Sequence, residues 1–145
     1  MEELRSLAHG QFDDVYLVVH YTSVASAEDW KRFITSANAA PKLGGLLVVA
    51  GGAKLEADQR NDIRDLYEKH KMKIGVLSDS RITRGITTAL SWFGIQVRAF
   101  RSSELAGLAE YLGQETRLEE LRSTVIPLLG RSYDESKADM KLPNS

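Results

Sequence analysis

The run Lys73-Ile74-Gly75-Val76-Leu77 is short and apolar, stops at Ser78-Asp79-Ser80, and gives way from Arg81 to a helical pattern. A strand that halts at hydroxyl and carboxylate groups and turns at once into a helix is the unit from which α/β domains are repeated. The same succession recurs at Leu46 to Ala50, and again at Ile95 to Phe100, where Ser102-Ser103-Glu104 open another helical stretch. The chain therefore reads as α/β.

The remaining segments fit that grammar. Val15 to His20 is a near-continuous apolar run rich in β-branched residues, as expected of a central strand covered on both faces. Ser26 offers an N-cap oxygen with Asp29 as its reciprocal partner, and Trp30, Phe33, Ile34 and Ala37 share one helical face. Pro41 and Gly44-Gly45 close that helix and its loop. Gln59, Ile63, Leu66, Tyr67 and His70 recur at helical spacing, with Arg60, Asp62, Arg64, Asp65, Glu68 and Lys69 on the solvated side. The third helix, from near Ser80 to Gly94, is expected to turn Ile82, Ile86, Ala89, Leu90 and Phe93 inward. A fourth uses Leu105, Leu108, Ala109 and Leu112 and stops at Gly113. Thr116-Arg117-Leu118-Glu119 reads as a second capping box, opening a helix with Leu118, Leu121, Val125 and Leu128 on one side and Pro127 near its end.

This order predicts a mainly parallel sheet of four to five strands with helices on its faces, and an irregular edge strand within Arg5 to Phe12. Residues 1–130 are expected to form one domain, and the polar, aperiodic residues 131–145 a disordered tail.

Composition narrows the function classes. Among 145 residues, 43% hydrophobic and 27% charged content is that of a globular protein, and a net charge of −1 gives no bias toward nucleic acid or anionic membrane. Without cysteine there is no disulfide, thiolate metal site or cysteine nucleophile. No apolar run approaches the roughly 20 residues of a membrane span, and Met-Glu-Glu-Leu-Arg lacks the basic start and apolar centre of a signal peptide. A cytoplasmic location is the expectation.

Ligands of open parallel sheets bind beyond the carboxyl ends of the strands, which singles out His20, Tyr21 and Thr22, Gly51 and Gly52, Ser78, Asp79 and Ser80, and Arg101 and Ser102. The helix start at Ser80, flanked by Arg81 and Arg84, suits a small anion; the competing reading makes Ser80 and Ser102 caps and Asp79 a support of the turn. A triad of His20, Asp79 and Ser80 lacks the Gly-x-Ser-x-Gly turn that exposes a nucleophile. Gly51-Gly52-Ala53-Lys54 is neither a P-loop nor a dinucleotide fingerprint, and His9, His20 and His70 lack paired metal-ligand spacing. Neither cofactor nor metal is expected. Trp92 lies about 100° around the helix from Phe93, at the boundary or surface, either covering the core edge or anchoring a partner.

The element order from Arg5 to Gly113, with Val76-Leu77-Ser78-Asp79-Ser80 running on to Ala89-Leu90-Ser91-Trp92-Phe93-Gly94, resembles the STAS-like superfamily, which includes anti-sigma-factor antagonists and small SEC14-type bacterial domains. With this resemblance the chain is expected to be a non-catalytic regulatory or protein-interaction module with an unidentified protein partner; self-association is expected as well, a homodimer being one form of it. The phosphoacceptor serine of anti-sigma-factor antagonists follows the strand that corresponds to Leu46 to Ala50. Gly51-Gly52-Ala53-Lys54 supplies no hydroxyl there, so the chain is a divergent relative by this reading. A small-ligand or anion-binding domain is the alternative, ahead of an enzyme.

Overall fold

The computed structural model describes residues 2–3, 6–22, 24–41, 43–51, 54–92 and 94–129. Gly52, Phe93 and the expected tail at 131–145 lie outside these residues, as do the side chains of Ile82 and Leu128. Strands β1 (Glu2–Glu3), β2 (Leu7–Phe12), β3 (Val15–His20), β4 (Gly45–Val49), β5 (Lys73–Leu77) and β6 (Val97–Phe100) form one sheet in that order. Helices α1 (Ala27–Asn38), α2 (Ala57–His70) and α3 (Arg81–Ser91) link the parallel strands, and α4 (Leu105–Tyr111) and α5 (Leu118–Leu129) follow β6.

β3 is buried along all six residues because both of its faces are covered. It pairs in parallel with β4, β4 with β5, and β5 with β6, whereas β2 and β3 form an antiparallel hairpin. The segment expected as an irregular edge is thus a regular strand. Its two-residue connection places Asp13 at φ 55, a left-handed conformation that aspartate tolerates better than most side chains.

Because strand order follows chain order, the three parallel crossovers step in one direction, and consistent handedness puts α1, α2 and α3 on the same face. Tyr16, Val18, Leu46, Ile74 and Val76 meet Trp30, Phe33, Ile63, Leu66 and Leu90 there. The alternate residues Leu17, Val19, Leu47, Val49 and Leu77 meet Leu105, Leu108, Leu121 and Val125 of α4 and α5 on the other face. The order never reverses within the parallel strands, so the sheet lacks the switch point at which doubly wound sheets open a crevice.

At Gly75, in register with Leu47 of β4 and Arg98 of β6, α4 comes close to the sheet. A Cβ there would run into Leu108 Cδ1 and touch Leu112 at ordinary contact distance. Glycine at this point sets how deeply α4 sits.

Three local expectations are corrected. Asp29 does not close a capping box with Ser26: the Ser26 hydroxyl does cap α1 by accepting from the Asp29 amide at 3.2 Å, but the Ser26 amide donates to Ser6 Oγ. A tertiary partner has replaced the local one. Thr116 does not cap the last helix either. A 3-10 turn over Glu115–Arg117 leads into α5, with the Arg117 amide bonded to the Gln114 carbonyl. On α2, Asp62 is half-buried and accepts the Trp30 indole N–H at 2.9 Å, because a buried indole needs an acceptor.

Candidate functional site

Ser78, Asp79 and Ser80 knit three strand ends together. Ser78 is fully buried, and its hydroxyl donates to the Gly51 carbonyl at 3.2 Å while accepting from the Ser80 amide at 3.1 Å, which ties the end of β5 to the end of β4. Ser80 is the N-cap of α3 and accepts from the Thr83 amide at 3.4 Å. Asp79 is exposed, and Ser102 engages both of its oxygens: the amide donates at 2.9 Å and the hydroxyl at 2.8 Å. That pair ties β5 to the segment after β6. A catalytic triad would need Asp79 to orient His20, and both Asp79 oxygens hold Ser102 instead.

Arg81 is exposed and Arg84 half-buried in the first turn of α3, which carries no acidic residue. The Asp79 carboxylate stands immediately before the cap, so the local charge has both signs. Among the described residues, no group of three or more His, Asp or Glu side chains is placed to hold a metal ion.

His20 closes β3 with 3% exposure, and its ring lies 6.3 Å from that of Trp30. Burial disfavours the imidazolium and pulls the pKa from 6.5 down to about 4, so the ring is neutral at pH 7. It is a hydrogen-bonding but uncharged group inside the α1–α3 face.

The face that α3 turns inward differs from the expected one. Thr83, Thr87 and Leu90 are buried, while Ile86 and Ala89 are only partly covered. Threonine takes these places because its methyl group can face the core while its hydroxyl bonds the preceding turn, as Thr87 does to the Arg84 carbonyl at 2.7 Å. Rotating the buried stripe in this way carries Trp92 outward. Trp92, the C-cap of α3, is 80% exposed and does not cover the core edge.

Sequence reasoning also missed the acidic hairpin turn. Asp14 accepts from the Gln114 side-chain amide at 2.8 Å, and Asp13 pairs with Arg117 at 3.4 Å, so the β2–β3 turn is fastened to the segment before α5. The signal was Asp13-Asp14 between two apolar runs, a turn composition.

Neither a protein-family model nor a curated protein matches the chain. Among the described residues no helix is long and apolar enough to cross a membrane.

Proposed function

We propose that this chain is a non-catalytic regulatory or protein-interaction module of STAS-like type, and that its contact surface is centred on Trp92. The observation that carries the reading is the 80% exposure of Trp92 at the end of α3. Large aromatics are enriched at interface centres, and truncating an aromatic hot spot costs about 2 kcal/mol or more of binding. The strand-end chemistry supports the same view, since Ser78, Ser80 and Asp79 brace the backbone and neighbouring strands. The partner proposed is a second copy of the chain. The test is Trp92→Glu: association should be lost while the far-ultraviolet spectrum stays unchanged and the melting midpoint matches that of dilute, monomeric wild type.

A second reading, capture of a small anion at the start of α3, is favoured by Arg81 and Arg84 in a first turn without acidic residues. Inorganic phosphate should then move the Ser80 to Arg84 amide resonances at low salt and lose this effect as salt rises. Unmoved resonances would remove it.

A further inference from the structure

A cavity of about 50 Å³ lies between the sheet and the α1–α3 layer. Its floor is the sheet face carrying Val18, Val48 and Val76, and its roof includes Trp30 of α1 and Ile86 and Leu90 of α3. Among the described residues of its wall, His20, Thr83 and Thr87 are the polar ones, and none is charged at pH 7. We propose that this cavity is a binding site for a small, uncharged, hydrocarbon-rich molecule carrying at most one hydrogen-bonding group.

Water is a poor occupant. The volume would admit a few molecules, because each needs about 10–15 Å³ of such space, but every one also needs two to four polar partners. Most of the wall is aliphatic or aromatic and offers none. An ion is poorer still, since no described wall residue carries a compensating charge. An apolar guest matches the lining and regains the dispersion contacts that a void forgoes.

Thr87 is 6% exposed and sits where isoleucine would add a methyl group to the gap. α3 packs chiefly on β6, and Thr87 and Thr88 both donate to the Arg84 carbonyl, an arrangement that loosens the regular helical ladder. A cavity of about 150 Å³ takes a benzene ring, so a ring-sized guest requires α3 to move outward. The inference stands apart from the surface reading at Trp92, because it concerns the opposite side of α3 and does not require a protein partner.

The experiment is a methyl-resolved NMR titration of the intact protein with xenon and with toluene. Toluene should give saturable shifts at Val18, Val48, Val76 and Leu90, and Thr87→Ile, which fills the space, should weaken binding by about tenfold or more. Val48→Ile fills the same space from the sheet side, so the result does not depend on one variant folding. Thr87→Val, which removes the hydroxyl at nearly constant volume, should keep toluene binding. Shifts with xenon but none with toluene would reduce the cavity to a packing void and overturn the proposal. Toluene shifts that do not saturate, or that persist unchanged in the filled variants, would overturn it equally.

Discussion

One carboxylate oxygen of Asp29, Oδ2, receives both the Ser6 amide at 2.8 Å and the Ser6 hydroxyl at 2.6 Å, twenty-three residues away in sequence. The segment entering β2 is thereby pinned to the first turn of α1, and the Ser6 carbonyl accepts the Tyr21 amide at 2.9 Å on the far side. The Ser6 hydroxyl, foremost among several groups, holds the Asp29 pKa below the usual carboxylate range. A carboxyl whose folded pKa is depressed adds stability above its unfolded pKa and loses it as pH falls through the folded value.

Ser6→Ala should therefore destabilise the protein by about 1–2 kcal/mol at pH 7, the worth of a hydrogen bond to a charged acceptor. Below about pH 4, where unfolded aspartate is protonated, the gap to wild type should narrow. Urea unfolding at pH 7 and pH 3 measures both; an equal gap at the two values would show that the Asp29 charge is not involved.

His20 sets a second pH dependence. Its pKa is about 4 in the fold against 6.5 ordinarily, so between these values the unfolded chain binds a proton that the folded chain refuses. Stability should be complete above pH 6.5 and fall toward pH 4 by an amount of the order of 3 kcal/mol. Burial and nearby Lys69 depress His70 as well, which adds a change of the same sign. His20→Leu should flatten most of this slope in denaturant melts across the window. An unchanged slope would mean that the buried imidazole is not its source.

Gly75 makes a prediction of unusual sign. Replacing glycine by alanine at a compatible position normally stabilises by about 0.4–1 kcal/mol through the unfolded chain. In β5 the new Cβ would strike the side chain of Leu108, which is fully buried in α4, so Gly75→Ala should instead destabilise by about 1–3 kcal/mol. A melting midpoint raised by this substitution would mean that α4 does not sit on β5 as described.

How much of this was legible in the sequence follows from which interactions are local. The parallel strands are bounded runs of apolar residues, and the caps at Ser26 and Ser80 are made within three residues, so chain order alone exposes them. Asp29 fails as a capping-box partner because the competing bond comes from Ser6, distant in the chain, whereas Thr116 fails as a cap because it lies inside a local 3-10 turn over Glu115–Arg117. The inward face of α3 is misread because hydropathy counts Thr83 and Thr87 as polar, although both are buried and the Thr87 hydroxyl is satisfied within the helix. Among the candidate site residues, Ser78, Asp79 and Ser80 are indeed gathered at the strand ends. Their engagement with Gly51 and Ser102 depends on the pairing of β4, β5 and β6, which no local pattern displays.

Trp92 carries the functional account, and sedimentation velocity of wild type and Trp92→Glu over a wide concentration range tests it most directly. The expected result is a wild-type protein that dimerises with rising concentration and a Trp92→Glu variant that stays monomeric, its melting midpoint matching that of wild type diluted to the monomer. Wild type and variant that both remain monomeric throughout, or that associate alike, would contradict it.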